Sequence, residues 1–341
     1  MDEASDRATR ADETWQSAFA GARVLVTGGL GFIGSRLALR LADYGARLTI
    51  LDNMAPDTGC NAYHAELLAA RATIRTADIR DEVAVTSVLR NQDYLFNMAA
   101  LISHMDSMRQ PHEDLDVNAR AQLTILDACR AVNPTVRIVH ASTRQVYGRA
   151  ESLPVTEMHR IRPPDVNGIN KLAGELYYSL YEHVYGIRTT VLRLTNVFGP
   201  GMRIRDGRQT FMGLWFRALL QNTSFDVWGG DQVRDLLFVD DAVDAFCAAA
   251  CNTSAVRLFN VGGIESLSLH ALAKMMIAVN GGGRYEVIAY PDDRRPIEIG
   301  DFVTDSRMLT ATLGWVPRTT IAEGVRQTLD YYAANMARYT P

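Results

Sequence analysis

Residues 22–53 read ARVLVTGGLGFIGSRLALRLADYGARLTILDN. An apolar, β-branched run (22–28) ends in glycine. FIGSRLALRLADYG (32–45) follows with apolar residues at helical spacing and a closing glycine, and ARLTILDN (46–53) is strand-like again. Strand, glycine turn, helix and strand in this order predict a right-handed crossover between parallel strands. Gly28, Gly31 and Gly34 then sit between a strand and a helix. There they allow a tight turn and bring backbone N–H groups against a pyrophosphate at the positive helix end, with Phe32 and Ile33 opening the helix.

Asp52, at the end of the second strand, can accept hydrogen bonds from both hydroxyls of an adenosine ribose, with Asn53 beside it. A 2′-phosphate would be repelled by that carboxylate, and no Arg follows immediately, so the residues favour NAD over NADP.

Further strand candidates follow at 72–78, 93–100, 135–142 and 188–197, with helical stretches between them, notably 116–132 and 169–186. Strands alternating with helices imply a parallel sheet covered on both faces, an α/β doubly wound (Rossmann) fold. After residue 197 the rhythm changes. Residues 199–211 form a Gly- and Arg-rich loop, 235–250 a strand feeding a helix, 256–263 another strand, and the remainder a small α/β cap. The expected organisation is an N-terminal arm (1–20), an NAD-binding domain (21–197 and about 235–262), and a smaller interleaved substrate domain (198–234 and 263–341).

At 341 residues the chain exceeds the usual size of a single core, in keeping with a large and a smaller domain. A net charge of −4 without a basic block argues against nucleic acid as a partner, and no apolar run approaches a bilayer's width. Residues 1–20 are acidic and polar, unlike a signal peptide, and read as a flexible arm on which Trp15 and Phe19 could dock. Four scattered cysteines make no disulfide framework, and Cys247 and Cys251 lack metal-ligand companions. Together these point to a reduced cytoplasmic protein with no metal site.

TGGLGFIGS (27–35), DIRD (78–81), NMAA (97–100), ASTRQVYG (141–148) and NGINK (167–171) occur in the order and spacing of one family. Over roughly residues 22–335 the chain resembles an extended short-chain dehydrogenase/reductase of the nucleotide-sugar epimerase and dehydratase group. The resemblance implies NAD as cofactor, with Asp78 and Ile79 at the adenine, Ala99 and Ala100 beneath the nicotinamide, and Asn118 at the family's structural asparagine. Asn97 replaces the family's usual histidine.

It also implies Thr143 as the residue that hydrogen-bonds the reacting hydroxyl and Lys171 as the holder of the nicotinamide ribose. The lysine's charge normally favours a tyrosinate four residues earlier, which acts as base. Here that position is Asn167, whose amide does not titrate near neutral pH. Three readings stay open: Asn167 orients water or the sugar hydroxyl, a relocated base works, or the protein binds without turnover. Candidate bases are Tyr147, His104, and Tyr177 or Tyr178. His104 lies in SHMDS (103–107), similar to a motif near substrate in sugar-nucleotide dehydratases.

Dehydratases of the family carry an Asp–Glu pair after the threonine, and decarboxylases a Glu. Here the pair is Arg144-Gln145, without a carboxyl, which favours epimerisation, most simply at C4. RLTNVFGPG (193–201), VWGGDQVRDLLFVDD (227–241) and RPIE (295–298) resemble segments that place Asn196, Arg234 and Arg295 on a nucleotide diphosphate, with Arg144 beside the substrate. Ile297 and Glu298 depart from the family's Gly and Asp. Arg203, Arg205 and Arg208 read as solvated loop charges within reach of substrate.

The leading expectation is an NAD-dependent nucleotide-sugar epimerase. The alternatives are a dehydratase, decarboxylase or oxidoreductase that leaves a keto-sugar, and a non-catalytic NAD sensor. The resemblance also implies a homodimer paired through helices near 112–132 and 169–186, with Leu123, Leu126, Leu172, Leu176 and Leu180 as apolar candidates.

Overall fold

The computed structural model describes residues 12–340 except 57 and 293. In chain order the strands are β1 (Arg23–Thr27), β2 (Arg47–Asp52), β3 (Ala72–Thr76), β4 (Tyr94–Asn97), β5 (Arg137–Thr143), β6 (Thr189–Leu194), β7 (Asn196–Phe198), β8 (Ser224–Trp228), β9 (Val233–Phe238), β10 (Leu258–Val261), β11 (Ser266–Ser268) and β12 (Arg284–Ile288). The helices begin with α1 (12–19), α2 (Phe32–Asp43), α3 (Ala62–Leu68), α4 (Glu82–Leu89), α5 (His104–Arg109), α6 (Pro111–Leu115) and α7 (Ala121–Val132). They continue with α8 (Val166–Tyr185), α9 (Phe211–Leu220), α10 (Val239–Ala250), α11 (Leu269–Asn280), α12 (Arg307–Leu313) and α13 (Ile321–Tyr339).

Seven strands form one parallel sheet in the order β3-β2-β1-β4-β5-β6-β10. The chain walks outward from β1 in one direction and then in the other, so connections diverge between β1 and β4 and leave a crevice beyond their carboxyl ends. Register keeps those ends level: Thr27 pairs with both Leu51 and Asn97. Apolar side chains from both sheet faces enter separate cores. On one face α2 and α10 bury Leu37, Leu41, Phe246 and Cys247. On the other α4, α7 and α8 bury Leu89, Ile125, Leu126 and Tyr178.

A three-stranded sheet (β11-β9-β7), a parallel pair (β12-β8) and helices α9, α11 and α13 share a third core around Trp215, Phe216, Leu272 and Tyr332. Strand β9 belongs to the small sheet, while α10, directly after it, covers the large one. Helix α13 returns to the glycine turn: Tyr339 Oη lies 2.9 Å from His64 Nε2, and His64 Nδ1 lies 2.8 Å from the Leu30 carbonyl.

The expected flexible arm is corrected in its second half. Residues 12–19 are helical, and Trp15 and Phe19, one turn apart, bury against Tyr44, Tyr94 and Phe96. Residues 1–11 lie outside the described residues. Among the described residues all four cysteines are free thiols, no group of three or more His, Cys, Asp or Glu could hold a metal, and no helix is long and apolar enough to cross a membrane.

Candidate active site

The glycine turn is shaped by what a side chain would strike. Gly28 has φ +65°, and a Cβ there would stand 2.7 Å from the Ala99 amide nitrogen; a Cβ on Gly34 would stand 2.2 Å from the Gly28 carbonyl oxygen. The turn is thereby pressed against the loop after β4, and its free backbone faces the crevice. Asp52 accepts from Leu30 N–H and Met54 N–H, each at 2.9 Å. Burial raises this carboxyl, opposed by those two bonds. With a third bond from Cys60, the carboxylate keeps one lone pair for a ribose hydroxyl. Further along, Asn53 donates to Asp78 at 2.9 Å, and Arg80 grips Asp78 through two bonds that hold its carboxyl down at about 2.

Gly28, Gly31, Phe32, Ile33, Gly34, Asp52, Asn53, Asp78, Ile79, Ala99 and Ala100 line one cleft, with Thr143, Asn167, Lys171, Asn196 and His104 at its inner end. A narrow glycine cradle, an acidic group at the next strand end and a cation at the far end fit a dinucleotide. Asn118 departs from the cofactor set. It is fully buried, outside the lining, and clasps the Leu101 backbone, accepting from its N–H at 3.2 Å and donating to its carbonyl at 2.9 Å. It shapes the wall from behind. Asn97 is likewise buried, bonded to Thr27, Gln122 and Tyr178.

At the inner end Thr143 Oγ1 accepts from Gln145 N–H at 3.2 Å, so its own hydroxyl hydrogen remains to donate. Lys171 is buried in α8 and donates to the Ala141 carbonyl at 2.9 Å. Burial pushes its amine down to about 8, against the charges of Asp114 and Glu175. One turn earlier, Asn167 Nδ2 donates to the Leu101 carbonyl at 2.8 Å and to Asp114 Oδ2 at 3.0 Å. Both partners are acceptors, which fixes the amide orientation and leaves Oδ1 for the cleft. Asp114, itself buried, also accepts from Asn170 at 2.9 Å.

The candidate bases separate cleanly. Tyr147 is not at the cleft: it is buried beside Phe302, donates to Asn260 at 2.7 Å and accepts from Arg193 at 2.8 Å. Burial raises its pKa further. That corrects its place among the catalytic candidates, because a V-Y-G pattern carries no signal of which way the ring turns. Tyr178 is equally enclosed, between Asn97 and Gln122, and Tyr177 packs against the α7 core. His104 stands where the cofactor cleft meets a second cleft. Its Nδ1 lies 3.0 Å from Asp165 Oδ2, at ion-pair distance although out of line for a hydrogen bond.

The second cleft is lined by Arg144, Asn196, Arg234, Trp215, Phe225, Trp228 and Tyr290. Arg144 donates to Asn196 Oδ1 at 3.1 Å and lies over the Phe302 ring at 5.1 Å, while its buried Nη1 has no partner among the described residues. Burial, then the Arg234 charge, lowers its pKa to about 10. Arg234 is paired with Glu298 and donates to the Gly300 and Val233 carbonyls. Arg295 is corrected: it turns to Asp292 (3.2 Å) and the Tyr290 carbonyl (3.3 Å), and Arg294 takes the lining, its guanidinium 4.5 Å from the Trp228 ring. Arg203 is no solvated charge; it is buried and ties Asp206 to the Pro56 and Thr58 carbonyls. Asp114, Asp165 and Arg294 were missed from sequence. Only Asp165, as an N-cap opening a helix, left a readable sign.

The family model described as "NAD dependent epimerase/dehydratase family" matches residues 24–262. A UDP-glucose 4-epimerase of Mycolicibacterium smegmatis is 30% identical over 320 residues, covering 91% of this chain and 98% of its own. A dTDP-glucose 4,6-dehydratase of Xanthomonas campestris is 29% identical over 332 residues, covering 91% and 93%. Among solved structures, the UDP-glucose 4-epimerase of Thermotoga maritima with UDP-glucose superposes with a TM-score of 0.83 at 26% identity, covering 92% of this chain and 99% of that one.

Proposed function

The chain belongs to the NAD dependent epimerase/dehydratase family, and on that footing we propose that it is an NAD-dependent nucleotide-sugar epimerase, acting at C4 through a transient keto-sugar. The observation that carries this reading is the floor beyond Thr143. Elimination of water needs a carboxyl acid and base there, and the positions hold Arg144, bound to Asn196, and Gln145, whose amide donates to Asp165 at 2.7 Å. Neither can give or take a proton near neutral pH. Epimerisation asks only that one hydroxyl proton be moved and restored.

Bound NAD supplies a hydride acceptor that later returns the hydride. Lys171 holds its ribose as a buried donor. Thr143 O–H donates to the sugar hydroxyl oxygen and so orients it, while Asn167, its amide held by Leu101 and Asp114, lines the cleft beside it. Arg144, through its open Nη1, takes the diphosphate together with Asn196 and the neighbouring Arg234.

A homodimer of a cytoplasmic protein completes the reading. On α8 Ile169, Leu176, Leu180 and Val184 are each more than half exposed, an apolar stripe left uncovered by the described residues. Leu126 drops out of that surface because it is fully buried, and Leu123 and Leu172 are half-buried.

The test is product analysis by mass spectrometry and proton NMR with NAD and a panel of UDP-, dTDP-, GDP-, ADP- and CDP-sugars. A new sugar spectrum at unchanged mass is the expected outcome. Loss of one water would replace the reading with a dehydratase, and stoichiometric NADH with an oxidoreductase. Tight NAD binding without turnover would favour the sensor.

A further inference from the structure

We propose that His104 and Asp165 form the acid–base dyad of this site, His104 exchanging the proton that Asn167 cannot. The inference rests on the epimerase reading above. His104 opens α5 directly after its cap Ser103, and Asp165 caps α8, so two helix starts distant in sequence meet where the cofactor and substrate clefts join. The pair is asymmetric. Asp165 is wholly buried, and the imidazole is 39% exposed with its Nδ1 buried against the carboxylate. The accessible ring nitrogen is Nε2, on the cleft side.

Asp165 cannot swing away. Its Oδ1 accepts from Gly168 N–H and its Oδ2 from the Gln145 amide, both at 2.7 Å. Burial alone would raise this carboxyl, yet its contact with His104 and its bonds from Gly168 and Gln145 hold it below its ordinary value. A fixed carboxylate beside Nδ1 favours the tautomer protonated there and leaves the Nε2 lone pair to accept a proton.

Other groups near Thr143 are committed or inert. Tyr147 and Tyr178 are bonded away from the cleft, Lys171 donates to Ala141, and Asn167 has spent both amide hydrogens. The cleft carboxylates Asp52 and Asp78 stand at the adenosine end, where Arg80 is shared by Asp78 and Glu113.

In the step assigned to the dyad, the sugar O–H bond breaks and its proton passes to Nε2, giving an imidazolium that Asp165 stabilises. The bonding pair left on oxygen becomes the second carbon–oxygen bond as carbon loses the hydride assigned to the nicotinamide. On return the carbonyl oxygen takes the proton back from Nε2, so no proton is gained or lost over a turnover.

The experiment compares wild type, His104→Gln, Asp165→Asn and Asp165→Ser on the panel sugar that wild type epimerises. General acid–base catalysis contributes about a hundredfold to ten-thousandfold. His104→Gln is therefore expected to lose about a thousandfold in kcat, with KM within about threefold. Asn and Ser both retain the helix cap. The asparagine amide would donate to Nδ1 and move the ring proton to Nε2, so Asp165→Asn should lose more kcat than Asp165→Ser at unchanged KM, an order that a purely capping role would not give.

A second readout is independent of turnover. Long-range proton–nitrogen spectra, assigned with His104→Gln, should show wild-type His104 protonated at Nδ1. If wild type turns over and His104→Gln keeps kcat within about threefold, or if the ring carries its proton on Nε2, the dyad is overturned and the epimerase reading stands. If wild type gives no isomer from any panel sugar, the functional reading fails first and takes the dyad with it.

Discussion

Asn167 donates its amide to the buried carboxylate of Asp114 at 3.0 Å, and through the same nitrogen to the Leu101 carbonyl at 2.8 Å. The side chain is thus a strut between α8, α6 and the loop after β4.

A tyrosine at position 167 should therefore harm the protein. Asn167→Tyr leaves Asp114 Oδ2 without its donor, which costs about 1–3 kcal/mol, while the Leu101 carbonyl keeps its bond from Asn118. Lower stability in chemical denaturation and no gain in kcat are expected. A variant at least as stable and faster than wild type would show that Asn167 is a lesion rather than a strut.

The glycine cradle makes a sharper demand. Gly34→Ala puts a methyl 2.2 Å from the Gly28 carbonyl oxygen, so the turn must move. Overpacking of this kind costs about 1–3 kcal/mol, and calorimetry should find NAD affinity down by about tenfold or more. Unchanged affinity would mean that the turn does not carry the cofactor.

Lys171 titrates at about 8 because it is buried. On the proposed reading its charged form binds the ribose, so contact strength is full below that pH and fades above it. The Kd for NAD should rise between pH 7 and pH 9 in wild type. In Lys171→Met it should be weaker at pH 7 and nearly flat. A flat wild-type profile would remove Lys171 from the cofactor.

His64 is buried, and burial lowers its pKa to about 4. An unfolded histidine takes its proton near 6.5, so between about pH 6.5 and 4 the unfolded state binds more protons and stability is lost as pH falls, by up to about 3 kcal/mol. His64→Gln should flatten that part of the profile in urea unfolding. Parallel profiles for the two proteins would refute it.

The exposed stripe on α8 predicts a dimer in solution. Leu176→Glu with Leu180→Glu should give a folded monomer by light scattering, since both side chains are exposed in the single chain. A monomeric wild type would end the prediction.

Much of the architecture was legible because it rests on period and punctuation. The stretch 22–53 shows strand, turn and helix in its apolar spacing, and Asp52 sits where a strand must end. What was hidden depends on tertiary direction. Nothing local distinguishes the inward ring of Tyr147 from a cleft residue, or tells that Arg294 rather than Arg295 faces the substrate side. Polar composition concealed α1, whose two aromatics suffice to dock it. The His104–Asp165 contact joins segments far apart in sequence, and only the fold brings them together.

The contact from Tyr339 through His64 to the Leu30 carbonyl sets a timetable. A ribosome releases the glycine turn early, but the tyrosine that braces it follows His64 by 275 residues. Until then His64 has no partner for Nε2 in the emerging chain. The glycine turn is thus finished only after α13 emerges, and chains halted before α13 would carry that turn without its brace.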